Sequence, residues 1–150
     1  MENEVWIVGV DPPCPRCDLT RQRVERIILE EGLPLRARNI FYTDPEAQQL
    51  AESIGKVCGT GKTVVEKAGT VVDAGKLVSI FKEPPSRPED YDQINGPAKH
   101  WSPEMDEVIR PLQMEAEALG ILMSPVLVVR GEVKHHGSVP SIGQIKSWLA

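Results

Sequence analysis

The sequence predicts an α/β fold, and three observations predict it. An apolar run from Val5 to Val10 stops at Pro12-Pro13 and passes into a helical pattern, a second strand-like and helical pair follows, and the last third holds two β-branched runs about an Arg-Gly turn. The first run is short, β-branched and aromatic. Two prolines neither continue a strand nor donate its hydrogen bonds, so a buried strand is expected to end near Asp11. Leu19, Val24, Ile27 and Ile28 then recur at helical spacing as far as Gly32, a residue suited to a helix C-terminus.

Leu35 to Tyr42, bounded by Pro34 and by Thr43-Asp44-Pro45, predicts the second strand. Asp44 is a good N-cap with Pro45 at the first helical position. Ala47, Leu50, Ala51 and Ile54 fall at i, i+3, i+4 and i+7 before Gly55, which predicts the second helix. Beyond it, Val64, Ala68, Val71, Val72 and Gly75 fit one helical face, and no neighbouring strand pattern is available to pair with a β meander there. Gly59-Thr60-Gly61-Lys62-Thr63 invites comparison with a phosphate-binding loop. The glycine required five positions before Gly61 is Lys56, and no apolar strand is expected ahead of it, so that reading is rejected.

Residues 83–92 carry too many prolines and charges for a helix or strand and predict an exposed, solvated loop. Ser102-Pro103-Glu104 starts a helix with Met105, Val108, Ile109, Leu112, Ala116 and Leu119 on one face, a kink at Pro111 and a stop at Gly120. Val126–Val129 and Val133–His136 flank Arg130-Gly131-Glu132 as an antiparallel hairpin. Ser141 and Gln144 form a capping box ahead of Ile142, Ile145, Trp148 and Leu149.

A chain of 150 residues with 41% hydrophobic content can bury one good core, and its length gives no reason to divide it. The net charge of −5, with no cluster of Lys and Arg, argues against nucleic-acid and anionic-membrane partners. No 18-residue apolar run exists, and the acidic Met1-Glu2-Asn3-Glu4 leads straight into the first strand. Neither a membrane span nor a signal peptide is therefore expected, and a cytoplasmic location is. Three cysteines are too few, and odd in number, for a secreted disulfide framework; in a reducing compartment a close pair is catalytic or metal-binding.

That pair is Cys14-Pro15-Arg16-Cys17, delivered to the start of the first helix. Unpaired backbone N–H groups and the positive end of the helix dipole favour a thiolate at Cys14. Pro15 suits the first turn, and Arg16 adds a fixed charge beside the sulfur. Cys17 lies one turn on, within bonding reach and further inside. Disulfide exchange and soft-metal binding both use this geometry. Two ordinary buried cysteines would not need a strand before them and a helix after.

The order of elements, with Cys-Pro-x-Cys opening a helix and Ser124-Pro125-Val126 stepping into the hairpin, resembles the thioredoxin-like superfamily, and its small glutaredoxin-sized members most closely. The resemblance covers residues 4–55 and about 113–149. It implies a thioredoxin fold, a four-stranded mixed sheet flanked by helices, in a single domain 1–150. Residues 56–112 would then be a largely helical insertion between the second strand and the hairpin. It implies further that Pro125 is a cis-proline facing the cysteine pair, and that Pro15, Arg16, Ser124 and Pro125 contact substrate. Gly137-Ser138-Val139-Pro140-Ser141 does not reproduce the Gly-Gly and acidic motif with which glutaredoxins hold glutathione.

The expected function is a thiol–disulfide oxidoreductase in which Cys14 attacks and Cys17 resolves, without cofactor or metal. Its partners would be protein or small-molecule disulfides and a reductase. The alternative is a soft-metal or metalloid carrier using Cys14 and Cys17 with Cys58, His135 or His136 as third ligand. His135 and His136 are adjacent on a strand and face opposite sides, so each reads as a solvent-exposed residue near the hairpin end. Cys58 reads as a small buried hydrophobe at a helix end, too far from Cys14 for a disulfide. A third class is a redox-inert module that binds partners through the insertion.

Overall fold

β1 (Glu4–Gly9) is hydrogen-bonded along both edges, and the other elements are placed around it. In the computed structural model, which describes residues 1–150, it is followed by α1 (Pro15–Glu31), β2 (Arg36–Phe41), α2 (Pro45–Ser53), β3 (Val57–Gly59), α3 (Gly61–Ala68) and α4 (Ala74–Lys82). Two short 3₁₀ turns (Tyr91–Gln93 and Gly96–His100) lead to α5 (Pro103–Leu119), β4 (Ile121–Met123), β5 (Val126–Val129), β6 (Glu132–His136) and α6 (Ile142–Leu149). The fold is α/β. A mixed four-stranded sheet runs β2-β1-β5-β6, with β1 parallel to β2 and antiparallel to β5. The β5–β6 hairpin turns on Arg130 and Gly131, both at positive φ (50° and 82°), the geometry that matches strand twist in a two-residue loop.

Alternation along β1 splits the core between the two faces of the sheet. Val5 and Ile7 pack with Val24 and Ile27 of α1 and Ile145 and Leu149 of α6; Trp6 and Val8 pack with Ala47 and Ala51 of α2 and with Cys58 and Leu122. A strand covered on both faces reads as an unbroken apolar run, as Val5–Val8 does. No helix is long and apolar enough to cross a membrane.

Val64, Ala68, Val71, Val72 and Gly75, expected on one helical face, are divided between two helices and a non-helical link over 69–73. Gly69 adopts φ 69° and closes α3, and the Asp73 side chain accepts the Lys76 N–H to open α4. Val71 falls between them and is 86% exposed. β3 and β4 were not foreseen: three residues each, they pair in parallel as a second sheet, Cys58 beside Leu122. β3 lies within residues 56–63, the span a phosphate loop would occupy, rather than ahead of them, and Lys56 stands where that loop needs glycine. Ile54 and Leu119, expected on inner helical faces, are exposed. Pro111 lies inside α5 without ending it.

The solvated-loop expectation for residues 83–92 also fails, at Asp90. Its side chain is buried and accepts from Arg23 Nη2 at 2.9 Å, Arg23 Nε at 3.0 Å and Arg26 Nη1 at 3.3 Å. Sequence composition cannot show that the cation waiting for this carboxylate lies 67 residues earlier. Burial pushes the Asp90 pKa up, but the hydrogen bonds and charge of Arg23 outweigh it and hold the carboxyl below its ordinary 3.8. Removing one partner of a buried pair strands the other, so Asp90→Asn should cost about 3 kcal/mol in urea unfolding at neutral pH. Because the folded-state pKa is depressed, that contribution is fully present above the unfolded value and disappears as pH falls through the folded one. The gap between variant and native protein should therefore close below pH 3.8, and a gap that is absent at neutral pH would refute the buried pair.

Candidate functional site

The chain leaves β1 at Gly9, crosses Pro12 and Pro13, and enters α1 with Cys14 as the N-cap residue and Pro15 at the first position. Cys14 makes no side-chain capping hydrogen bond. Cys14 is half-buried and Cys17 is 3% exposed; both are free thiols. The sulfurs are hydrogen-bonded at 3.4 Å. Gly9 sets how deeply Cys17 sits: an added Cβ at Gly9 would lie 2.6 Å from the Cys17 sulfur. The end of β1 and the first turn of α1 thus meet with no room for a side chain between them.

This arrangement separates the two thiols chemically. The Cys17 S–H, donating to an ionised Cys14, lowers the Cys14 pKa from 9.0 to about 6 against the opposing effect of burial; the Cys17 backbone N–H and the Arg16 charge add to it. Cys17 is pushed far up for the complementary reason, since its proton is held by Cys14, its site is dry and the Cys14 charge is adjacent. At neutral pH Cys14 is the thiolate and Cys17 the thiol.

Arg16, expected to contact substrate, has its guanidinium engaged inside the chain. It is 8% exposed and turned inward, with Nε on Asp106 Oδ1 at 2.8 Å, Nη1 on the Ser124 carbonyl at 3.4 Å and Nη2 on the Gly137 carbonyl. Asp106 Oδ2 in turn accepts from Trp101 Nε1 at 3.2 Å and from the Val139 N–H at 2.9 Å. Ser124 and Pro125 are buried as well, with the Ser124 N–H on the Gly59 carbonyl and the Pro125 carbonyl accepting from Gly137. Of the four residues expected at the substrate, only Pro15 keeps a half-exposed surface beside Cys14. The Ser124–Pro125 bond is cis, as expected, and so is Asp11–Pro12.

Sequence patterns gave no sign of a cleft beside the pair. It has a volume of about 570 Å³; buried Ile7, Ile40 and Cys17 form its floor, and exposed Asp11, Asn39, Phe41 and Asp44 its rim. Asp11 and Asp44 follow the ends of the two parallel strands, β1 and β2, and come to line one cleft only through that pairing.

The third-ligand candidates lie elsewhere. Cys58 is on β3 rather than at a helix end; it is buried in the core, its sulfur 3.6 Å from the Ala47 carbonyl, and burial raises its thiol to about 11. The histidines are half-buried rather than solvent-exposed, because each has a partner. His135 Nε2 meets Ser138 Oγ at 2.7 Å and its ring stacks on Trp148, while burial first and His136 second lower its pKa. His136 accepts the Met123 N–H at Nδ1 and meets Glu117 through Nε2 at 2.5 Å. No group of three or more His, Cys, Asp or Glu side chains converges with the spacing of a metal site.

Iodoacetamide should label Cys14 alone below alkaline pH, with a rate that rises to half its maximum near pH 6; faster labelling of Cys17 would reverse the assignment of the two thiols. Gly9→Ala should displace Cys17, lowering stability by about 1–3 kcal/mol and moving the midpoint of that labelling curve upward. An unchanged curve would show that the contact does not hold the pair.

Compared with protein-family models, with curated proteins and with solved structures, the chain matches none.

Proposed function

We propose that this chain is a cytoplasmic thiol–disulfide oxidoreductase on a thioredoxin-like fold. The observation that carries the reading is the pairing of a half-buried Cys14, acidic at about 6, with a buried, protonated Cys17 at 3.4 Å on the first turn of α1. The sheet order β2-β1-β5-β6, with β1 feeding the cysteine helix and Ser124-Pro125 stepping into β5, supports the thioredoxin-like part.

The Cys14 thiolate attacks one sulfur of a disulfide. A Cys14–S bond forms, the substrate S–S bond breaks, and the departing sulfur leaves as a thiolate that takes a proton from solvent. Ionised Cys14 is consumed in that step, so the group that raised the Cys17 pKa is gone. Cys17 gives up its proton, attacks the Cys14 sulfur and expels the second substrate sulfur, which takes a proton. Two electrons have then passed to the substrate, and the sulfurs need close only from 3.4 Å to about 2.05 Å. A dithiol reductase resets the pair by the same exchange run in the opposite direction. Protein or small-molecule disulfides are the partners of this cycle. A soft-metal carrier finds support only in the two adjacent sulfurs, because Cys58, His135 and His136 are bonded or packed elsewhere.

Dithiothreitol-driven insulin reduction tests the cycle directly. Cys14→Ser should abolish it, and Cys17→Ser should instead accumulate mixed disulfides through Cys14 under oxidising conditions. Cys58→Ser should leave the rate within about twofold, since its thiol is buried and well above neutral pH. A Cys17→Ser protein that captures no thiol partner while its Cys14 still alkylates would sink the proposal.

A further inference from the structure

Taking that reading as its basis, we infer that the favoured substrates are disulfides with a positive charge beside the sulfur, such as a peptide half-cystine flanked by Lys or Arg. Asp11 and Asp44 select them. The cleft beside the pair has Cys17 in its floor, 3.4 Å from the Cys14 sulfur, so the groups next to a sulfur bonded to Cys14 reach its rim. Of the 10 residues lining it, Asp11 and Asp44 alone are charged, and both are exposed.

Neither carboxylate is engaged within the chain. No ion pair uses Asp11 or Asp44, whereas the nearby acids of the first and fifth helices are neutralised, Asp18 by Arg21 and Asp106 by Arg16. Asp44 stands at the N-cap of α2 and makes no side-chain cap bond, so the backbone does not engage its carboxylate. The cation nearest the pair in sequence, Arg16, is turned inward with each of its three nitrogens hydrogen-bonded. A substrate therefore meets two unbalanced negative charges on one side of the reactive sulfur. A unit charge at the rim, about 7 Å from each carboxylate through solvent, changes the rate about threefold per carboxylate, so the pair gives about tenfold between neutral and singly charged groups. The same charges repel glutathione disulfide, an anion.

The test follows oxidation of the reduced protein to its Cys14–Cys17 disulfide by cystamine, bis(2-hydroxyethyl) disulfide and dithiodiglycolate, which are cationic, neutral and anionic. Each rate is divided by that of the same disulfide with free dithiothreitol, which removes intrinsic reactivity. The expected order is cystamine, then the neutral reagent, then dithiodiglycolate, spread by at least about tenfold at low ionic strength and compressed in about 0.5 M salt. Asp11→Asn with Asp44→Asn should bring the three within about twofold, while Glu30→Gln with Glu31→Gln, at the other end of the α1 helix about 25 Å away, should leave the order intact. Equal or reversed rates in the native protein, or an order that survives the Asp11/Asp44 substitutions, would overturn the charge selection and leave the oxidoreductase reading standing. If no reagent oxidises the pair although Cys14 still alkylates, the oxidoreductase reading falls and this one with it.

Discussion

One buried guanidinium ties together the elements that surround the cysteine pair. Arg16 lies between Cys14 and Cys17 in sequence, and its donors reach α5 through Asp106, the β4–β5 link through Ser124 and the bend after β6 through Gly137. A buried cation is tolerable only when its donors are all answered, and the answers here come from three separate stretches of chain. Each must be in place before Arg16 can be. The N-terminal turn of α1 is thereby held where Cys14 is half-covered and Cys17 is pressed against Gly9.

Arg16 and Arg23 are seven residues apart, two helical turns, and so share one face of α1. Val24 and Ile27 carry the helix into the sheet core. α1 is thus buried twice, once by apolar packing and once by charge: Arg16 on Asp106, Arg23 on Asp90, and Gln22 and Asp18 on the backbone of residues 95 and 98. Polar burial of this kind is directional. It does little to drive collapse, but it admits only one seating of the covering segment, because a slip of a single residue would strand two cations.

The same contrast explains what could be read from the sequence. β1, α1, α2, the β5–β6 hairpin and α6 rest on apolar periodicity and local turn chemistry, which a single chain displays: Pro15 and Gly32 bound α1, and Ser141 and Gln144 close their capping box as expected. β3 and β4 are three residues each, too short to show a period, and exist because they pair with each other across more than 60 residues. Asp90 looked like a loop residue and Arg16 like a substrate contact because each is defined by its distant partner. The cysteine pair was legible, since spacing and flanking elements are local. Its cleft was not, because Asp11 and Asp44 come to line one cleft only when β1 and β2 lie parallel.

Residues 56–112 therefore do more than decorate the sheet. They supply Gly59, whose carbonyl receives the Ser124 N–H, and Asp90 and Asp106, which neutralise the inward charges of α1. They also contribute Ile80, Ile94, Ala98, Trp101 and Met105, which enclose Leu19 two residues beyond Cys17. Without them α1 would present two cations and Leu19 to water beside the Cys14 sulfur, and Arg16 would be free to swing toward solvent. A detachable interaction module would carry its own core and leave α1 self-sufficient. Here the burial of the first helix is completed by the segment itself, so the acidity of Cys14 and the presence of residues 56–112 are parts of one arrangement.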